Sequence, residues 1–205
     1  MKRFILMILP ALICGMVFTS CEKVENAGSN TVVIEATGIE TNFGCGCSDI
    51  ATVKATISSM IPNQDGEYHW VTYVIDSSNF KDGGFKLNFP ETIPDKYLFD
   101  NDFSAGITVD GIQAKTGLVS FDAYNSAGEY VGGFDLRSKD CSIAYLYTNI
   151  SFTNKGTYSY GRYYDYSFEK GCNIMYSGIN GSTTQKPLNE IFKWYFVELC
   201  IDYIY

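Results

Sequence analysis

Tyrosine residues and one arginine occupy alternate positions along residues 158–168, a pattern that suits binding of a sugar or a protein. On one continuous strand, alternate side chains share a face, and that face would carry Tyr158, Tyr160, Arg162, Tyr164, Tyr166 and Phe168. Aromatic rings stack on the apolar C–H faces of sugars, while the guanidinium and the phenol hydroxyls can meet sugar hydroxyls. The same pattern also suits the inner face of a β-sandwich, with Gly161-Arg162 as a turn or bulge. The candidate ligand-binding residues are therefore Tyr158, Tyr160, Arg162, Tyr164 and Tyr166, and their solvent exposure decides between the two interpretations.

Cys21 is a candidate for lipidation because of the residues before it. Two basic residues near the start precede an apolar run over residues 4–18. This run is shorter than the roughly 20 apolar residues of a membrane span, so it favours a cleaved signal peptide. The tetrapeptide Phe18-Thr19-Ser20-Cys21 resembles the lipobox of bacterial lipoproteins, in its looser Bacteroidetes form with Phe18 in place of Leu. The resemblance implies that Cys21 becomes an acylated N-terminus. The alternatives are an ordinary signal peptide with an incidental cysteine, or a membrane anchor.

These features predict a domain organisation and a location. Residues 1–20 are assigned to the signal peptide, 21–30 to a polar lipidated tether and 31–205 to a β-sandwich domain. A junction between two small subdomains near residue 105 is the alternative to one domain. The expected location is the bacterial outer membrane, reached through the N-terminal lipid, with the periplasmic and surface faces both open.

Five cysteines remain beyond the signal peptide and the lipidation site: Cys45, Cys47, Cys141, Cys172 and Cys200. An odd number leaves at least one thiol unpaired or paired between chains. Cys45 and Cys47 are separated by one residue, which strains a disulfide and does not match the spacing of zinc ligands. We therefore expect no metal site, and the disulfide pairing stays open.

No arrangement typical of a catalytic site accompanies the titratable residues. His69 is the only histidine, and it alternates with apolar residues without a nucleophile motif nearby. The acidic residues are spread singly, so no carboxylate pair stands out for glycoside hydrolysis. We expect no enzymatic activity and no cofactor, with a glycan-directed hydrolase of the envelope as the alternative.

Oxygen-bearing side chains alternate near residues 100–110, as they do in calcium-binding loops. The segment holds Asp100, Asp102, Ser104, Thr108 and Asp110. Calcium loops also need a glycine at the sharp turn and a closing bidentate glutamate, and both are missing here. A solvated acidic loop explains the same residues, so calcium binding stays open.

The charge of the chain excludes one class of partner. The formal net charge is −8, with 23 acidic and 15 basic residues. Nucleic-acid binding depends largely on Lys and Arg contacts to phosphates, so we expect no nucleic-acid partner. The 16 tyrosines and 14 phenylalanines favour strands over helices.

Alternating apolar and polar residues, separated by turn signals, predict an all-β fold. Residues 52–58 alternate cleanly, Asp65-Gly66 predicts a hairpin turn, and residues 68–75 are apolar on both faces, which favours a central strand. Other strands are predicted at residues 31–37, 85–89, 117–124, 130–136, 142–152, 157–168, 173–177 and 191–201. We predict an immunoglobulin-like or transthyretin-like β-sandwich of about 9–11 strands.

Two phrases of the sequence resemble recurring phrases of uncharacterised Bacteroidetes lipoproteins. The first is Phe85-Lys86-Leu87-Asn88-Phe89-Pro90, and the second runs from Phe168 to Tyr176, with Cys172 where those proteins usually have Trp. The resemblance implies an envelope-anchored β-domain and no particular reaction. The expected function is a non-enzymatic binding or structural module whose partner is a polysaccharide or another envelope protein.

Overall fold

The computed structural model describes residues 32–39, 49–62, 65–100, 103–158 and 161–199. Within them lie one short 3₁₀ turn, Asp95–Tyr97, and fourteen strands. The strands are β1 (Val32–Ala36), β2 (Thr52–Pro62), β3 (Tyr68–Asn79), β4 (Phe85–Phe89), β5 (Thr108–Val109), β6 (Ile112–Gln113), β7 (Thr116–Tyr124), β8 (Tyr130–Arg137), β9 (Cys141–Thr148), β10 (Phe152–Thr157), β11 (Tyr163–Phe168), β12 (Gly171–Gly178), β13 (Gly181–Thr183) and β14 (Lys193–Glu198).

The predicted all-β fold with sheets in a sandwich-like arrangement is confirmed. The described residues contain more strands than the predicted 9–11, because β5, β6 and β13 are only two or three residues long. The predicted strands 117–124 and 130–136 form β7 and β8, and in the turn that joins them the amide of Gly128 donates to the carbonyl of Asn125. The segment after residue 190, which has Trp194 at its centre, forms a strand as predicted.

Most strands belong to one large sheet, ordered β10-β11-β13-β12-β9-β8-β7-β2-β3, with β14 paired to β8. Its pairings are antiparallel except β11 with β13, which is parallel. Strand β7 pairs with β8 at one end and with β9 at the other, so the sheet divides there. Strands β1 and β4 form a separate two-stranded sheet, and β5 pairs with β6.

The main hydrophobic core lies between the β1–β4 sheet and the large sheet. Phe121 of β7 is at its centre, with ring centroids 6.2 Å from Phe85, 6.1 Å from Phe89, 5.5 Å from Tyr145 and 5.0 Å from Trp194. The Tyr145 and Trp194 contacts are edge-to-face, a favourable arrangement for aromatic rings. Burying each such side chain contributes about 2 kcal/mol, so this cluster holds the two sheets together.

A second, smaller core lies at the other end of the large sheet. It contains the buried side chains of Ala114, Leu146, Phe152, Tyr166, Phe168 and Met175. These residues belong mainly to β9, β10, β11 and β12, so this cluster fixes the β10–β11 hairpin against the rest of the sheet.

The prediction that residues 68–75 form a central strand is wrong. Strand β3 lies at the edge of the large sheet, and β2 is the central member of the hairpin because it pairs with both β3 and β7. The apolar pattern on both faces has two causes. One face packs inward, where Tyr73 stacks on Tyr97 with centroids 4.5 Å apart, while the other exposes Trp70 and Val74.

Side chains of β3 connect its edge to the second sheet. The Asp76 carboxylate accepts a hydrogen bond from the Asn88 amide at 2.6 Å, and the Ser78 hydroxyl accepts one from the Lys86 amide at 3.3 Å. Strand β4 is therefore attached to β3 without a backbone ladder.

The prediction of one continuous strand over residues 157–168 is also wrong. The chain turns after β10 and returns as β11, with the Gly161 amide donating to the Tyr158 carbonyl at 2.9 Å. Gly161 has a φ of +77°, a left-handed conformation that favours glycine. The structure therefore supports the alternative interpretation, in which Gly161-Arg162 is part of a turn.

Candidate functional site

A cleft of about 620 Å³ lies beside the turn of the β10–β11 hairpin, along the neighbouring strands β11, β13 and β12. It is lined by Phe103, Tyr158, Arg162, Tyr166, Met175, Ser177, Gly178 and Ser182. Three of the five candidate residues from the sequence, Tyr158, Arg162 and Tyr166, are in this set. These residues come together at a hairpin turn, and not along one face of a single strand as predicted.

A row of aromatic rings runs along one face of β11, and the Tyr166 ring of this row lines the cleft. The ring centroids of Tyr164 and Tyr166 are 5.6 Å apart, and those of Tyr166 and Phe168 are 5.1 Å apart. Tyr158, at the beginning of the turn, extends the row with its ring 4.7 Å from that of Tyr164. A Cβ atom at Gly156 would collide with the Tyr164 ring, so the glycine on the paired strand gives that ring its place.

Among the described candidates, exposure favours the packing interpretation for Tyr166, while Tyr158 and Arg162 remain accessible to a ligand. Tyr158 is 37% exposed at the mouth, whereas Tyr166 is 1% exposed, so only one edge of its ring reaches the cleft. Tyr164 is half-buried behind them. Tyr160 lies outside the described residues. Tyr163 is 49% exposed, but strand alternation places it on the opposite face of β11.

The wall formed by the next strands of the sheet, β13 and β12, carries hydroxyl groups. Ser177 of β12 and Ser182 of β13 are paired across the strands, and their hydroxyl oxygens are 3.0 Å apart. Met175 shares the face of Ser177 and is buried, which gives the cleft an apolar floor beside the two hydroxyls. This wall can both donate and accept hydrogen bonds.

Phe103 closes one side of the cleft. Its ring lies edge-to-face on Tyr166 with centroids 6.1 Å apart, and its carbonyl accepts a hydrogen bond from the Asn154 side chain at 3.1 Å. No pattern in the sequence pointed to Phe103, Met175, Ser177 or Ser182 as site residues. Alternation along β12 would have placed Met175 and Ser177 on one face, but nothing local shows that β13 carries this face to β11.

Arg162 is the one charged side chain among the described residues that line the cleft. Its side chain is exposed and forms no ion pair with any described residue. The other charges of the hairpin neutralise each other, since Lys155 Nζ lies 2.9 Å from the Asp165 carboxylate. The hydrogen bond and the charge of Asp165 raise the pKa of Lys155.

A smaller cavity of about 440 Å³ opens where β7, β8 and β9 diverge. Asp122 lines it and accepts a hydrogen bond from the Thr56 hydroxyl at 2.7 Å. Burial raises the pKa of Asp122, against the opposing effects of that hydrogen bond and of the Lys54 charge. Asp122 therefore ionises less readily than an ordinary aspartate.

The far end of the β2–β3 hairpin has an exposed apolar face, which we call the arm surface. It consists of Met60, Tyr68, Trp70 and Val74. Trp70 is 67% exposed, and Met60 lies directly opposite it on β2. This surface was not predicted from the sequence, because residues 68–75 were expected to form a central strand covered on both faces. His69 is exposed on the same strand.

The other sequence candidates do not form a ligand set among the described residues. No group of three or more His, Cys, Asp or Glu side chains is placed there to hold a metal ion. Asp100 accepts a hydrogen bond from the Gln113 side chain at 2.6 Å, while Asp102 lies outside the described residues.

The cysteines are only partly described. Cys141 and Cys172 lie at opposite ends of the β9–β12 ladder, about 20 Å from each other, so they do not form a disulfide with each other. The signal segment, the tether with Cys21, and Cys45, Cys47 and Cys200 lie outside the described residues.

Two further findings complete the description. Within the described part of the chain, no helix is long and apolar enough to cross a membrane. Comparisons with protein-family models, with curated proteins and with solved structures gave no match to this chain.

Proposed function

We propose that this protein is a lipid-anchored module of the bacterial cell envelope that binds glycans without transforming them, and that the cleft is its binding site. The observation that carries the proposal is the composition of the cleft lining, in which the partly exposed Tyr158 ring occurs together with the Ser177–Ser182 hydroxyl pair. A sugar ring needs both an apolar surface and hydrogen-bonding groups, and this lining supplies both.

The cleft has a suitable size and rigidity for such a ligand. Its volume of about 620 Å³ is within the range of small-molecule sites. Tyr158 is bound to the buried Tyr166 through their hydroxyls, 2.9 Å apart, so little ordering is needed when a ligand arrives. The lining of rings, hydroxyls and one guanidinium supports binding in preference to acid–base chemistry.

A glycan array probed with the purified full-length protein tests this function. We expect wild type to bind a subset of glycans and Tyr158→Ala to lose at least tenfold in affinity, about 1.4 kcal/mol. Tyr163→Ala is the matched control, because it removes a more exposed tyrosine from the opposite face of the same hairpin. An array without binding, or equal losses in both variants, would contradict the proposal.

A second candidate function, binding of another envelope protein, is favoured by the arm surface. Exposed Trp, Tyr and Met side chains are typical of protein interfaces, and Trp70 and Met60 form a contiguous pair. A Trp70→Ala variant separates the two functions: it should leave glycan binding unchanged and weaken only the capture of a protein partner. The hydrolase alternative is tested on the same array hits, because release of shortened products would show turnover.

A further inference from the structure

We infer that the cleft prefers a sugar bearing a carboxylate, a uronic acid unit, and that Arg162 binds this carboxylate. The inference rests on the proposed glycan-binding function and adds the chemical class of the ligand. It starts from the electrostatics of the cleft, where one cationic side chain stands among neutral ones.

The backbone holds Arg162 directly across the turn from Tyr158. The Arg162 carbonyl accepts a hydrogen bond from the Tyr158 amide at 2.8 Å, and the left-handed Gly161 closes the turn between them. Tyr158 and Arg162 therefore lie opposite each other in the hairpin, and both line the cleft. A ligand that stacked on the Tyr158 ring would lie close to Arg162.

The guanidinium is available for a ligand. Within the described part of the chain it has no ion-pair partner, and the nearby Asp165 is held by Lys155 at 2.9 Å. A guanidinium presents a planar fork of donors that matches a carboxylate with two parallel hydrogen bonds. A neutral sugar would use only part of this fork, so a carboxylate should bind more tightly.

The remaining groups match the rest of a uronic acid. Its ring offers C–H groups to Tyr158, and its hydroxyls can reach the Ser177–Ser182 pair. The net charge of −8 opposes binding of a long polyanion. We therefore expect recognition of a short or terminal acidic unit, with little gain from a longer acidic chain.

Isothermal titration of the full-length protein with matched acidic and neutral oligosaccharides tests the inference. The probes are trigalacturonic acid against galactotriose, and a glucuronic acid trisaccharide against its glucose counterpart. For at least one pair, we expect the acidic member to bind at least about tenfold tighter. Arg162→Gln should bring the two members of that pair to within about twofold. Arg137→Gln, the same change on β8 where Arg137 lies over Tyr195, should leave the preference intact.

The outcomes separate the inference from the function on which it rests. If the neutral members bind as tightly as the acidic ones, or if Arg162→Gln keeps the preference, the inference is wrong while glycan binding stands. If no member of either pair binds the wild-type protein, the inference is wrong, and the glycan array decides separately whether the proposed function stands.

Discussion

The hydroxyl oxygens of Tyr158 and Tyr166 lie 2.9 Å apart. This bond joins a ring at the mouth of the cleft to a side chain that is almost fully buried in the second core. The packing of the small core is thereby linked to the geometry of the proposed binding site. A change in one should be measurable in the other.

Removing this hydroxyl pair should cost stability in a coupled manner. Tyr158→Phe and Tyr166→Phe each break the same hydrogen bond, so each should lower the free energy of unfolding by about 1 kcal/mol. The double variant should lose clearly less than the sum of the two, and urea denaturation of all four proteins measures the coupling. Strictly additive losses would show that the two hydroxyls do not interact.

Gly181→Ala should disrupt β13 and with it the hydroxyl wall of the cleft. Gly181 has a φ of +152°, and a Cβ atom there would collide with the backbone carbonyl of Tyr163. We expect a loss of roughly 2–4 kcal/mol in the free energy of unfolding. Gly128→Ala is the control, because Gly128 also has a positive φ, +82°, but has open space around its Cα.

The Gly128→Ala control measures only the free-energy cost of an alanine at a positive φ, which is about 1 kcal/mol. Thermal unfolding of both variants makes the comparison. If the Gly181→Ala variant were as stable as the Gly128→Ala variant, the result would contradict the close contact between Gly181 of β13 and Tyr163 of β11.

Asp122→Asn should stabilise the protein at neutral pH. Burial raises the pKa of Asp122 above 3.8, so the folded state disfavours the ionised form that is present at pH 7. An asparagine can still accept the hydrogen bond from Thr56. Because Asp122 is only half-buried, we expect a gain of less than about 1 kcal/mol.

The pH dependence of this gain has a defined sign. As the pH falls through the raised pKa of Asp122, the wild-type carboxyl becomes protonated in the folded state. The gap in the free energy of unfolding between Asp122→Asn and wild type therefore narrows. Below 3.8 the gap should vanish, since Asp122 is then neutral in both states. Urea denaturation at several pH values measures it, and a gap that widens on acidification would contradict the assignment.

Cys21→Ala should abolish membrane attachment if this cysteine is lipidated. The lipobox-like residues before it motivate the proposal, and the expected result is a chain that no longer labels with palmitate or sediments with membranes. A Cys172→Ala variant is the control and should remain labelled. Membrane attachment that persists in Cys21→Ala would show that the N-terminal segment anchors the chain in another way.

Local pattern was sufficient for most strands, although the predicted strands 142–152 and 157–168 are each interrupted by a turn. It was not sufficient to say which strands are neighbours in the sheet. Phe85–Phe89 alternates and ends at a proline, and it forms β4 as predicted. The apolar run that includes Trp70 was misplaced, because alternation cannot distinguish a strand covered on both faces from one with an exposed apolar face. That distinction depends on strand order, which only the whole fold determines.

The site shows the same limit. Tyr158, Arg162 and Tyr166 were found because they lie close together in sequence and have distinctive side chains. Ser177 and Ser182 have no such signal, and the parallel pairing of β11 with β13 that brings them close is a long-range feature. The turn at Gly161 was one of two open alternatives, because Tyr residues flank it on both sides and continue the strand pattern.

Chemical-shift mapping of isotope-labelled protein, titrated with trigalacturonic acid, tests the binding site most directly. At ligand concentrations of about 1 mM, a range that detects weak binding, the amides of Tyr158, Arg162, Ser177 and Ser182 should shift together along one saturation curve. The amides of Tyr68 and Trp70 on the arm surface should stay in place. Shifts confined to the arm surface, or none at all in the cleft, would contradict the account.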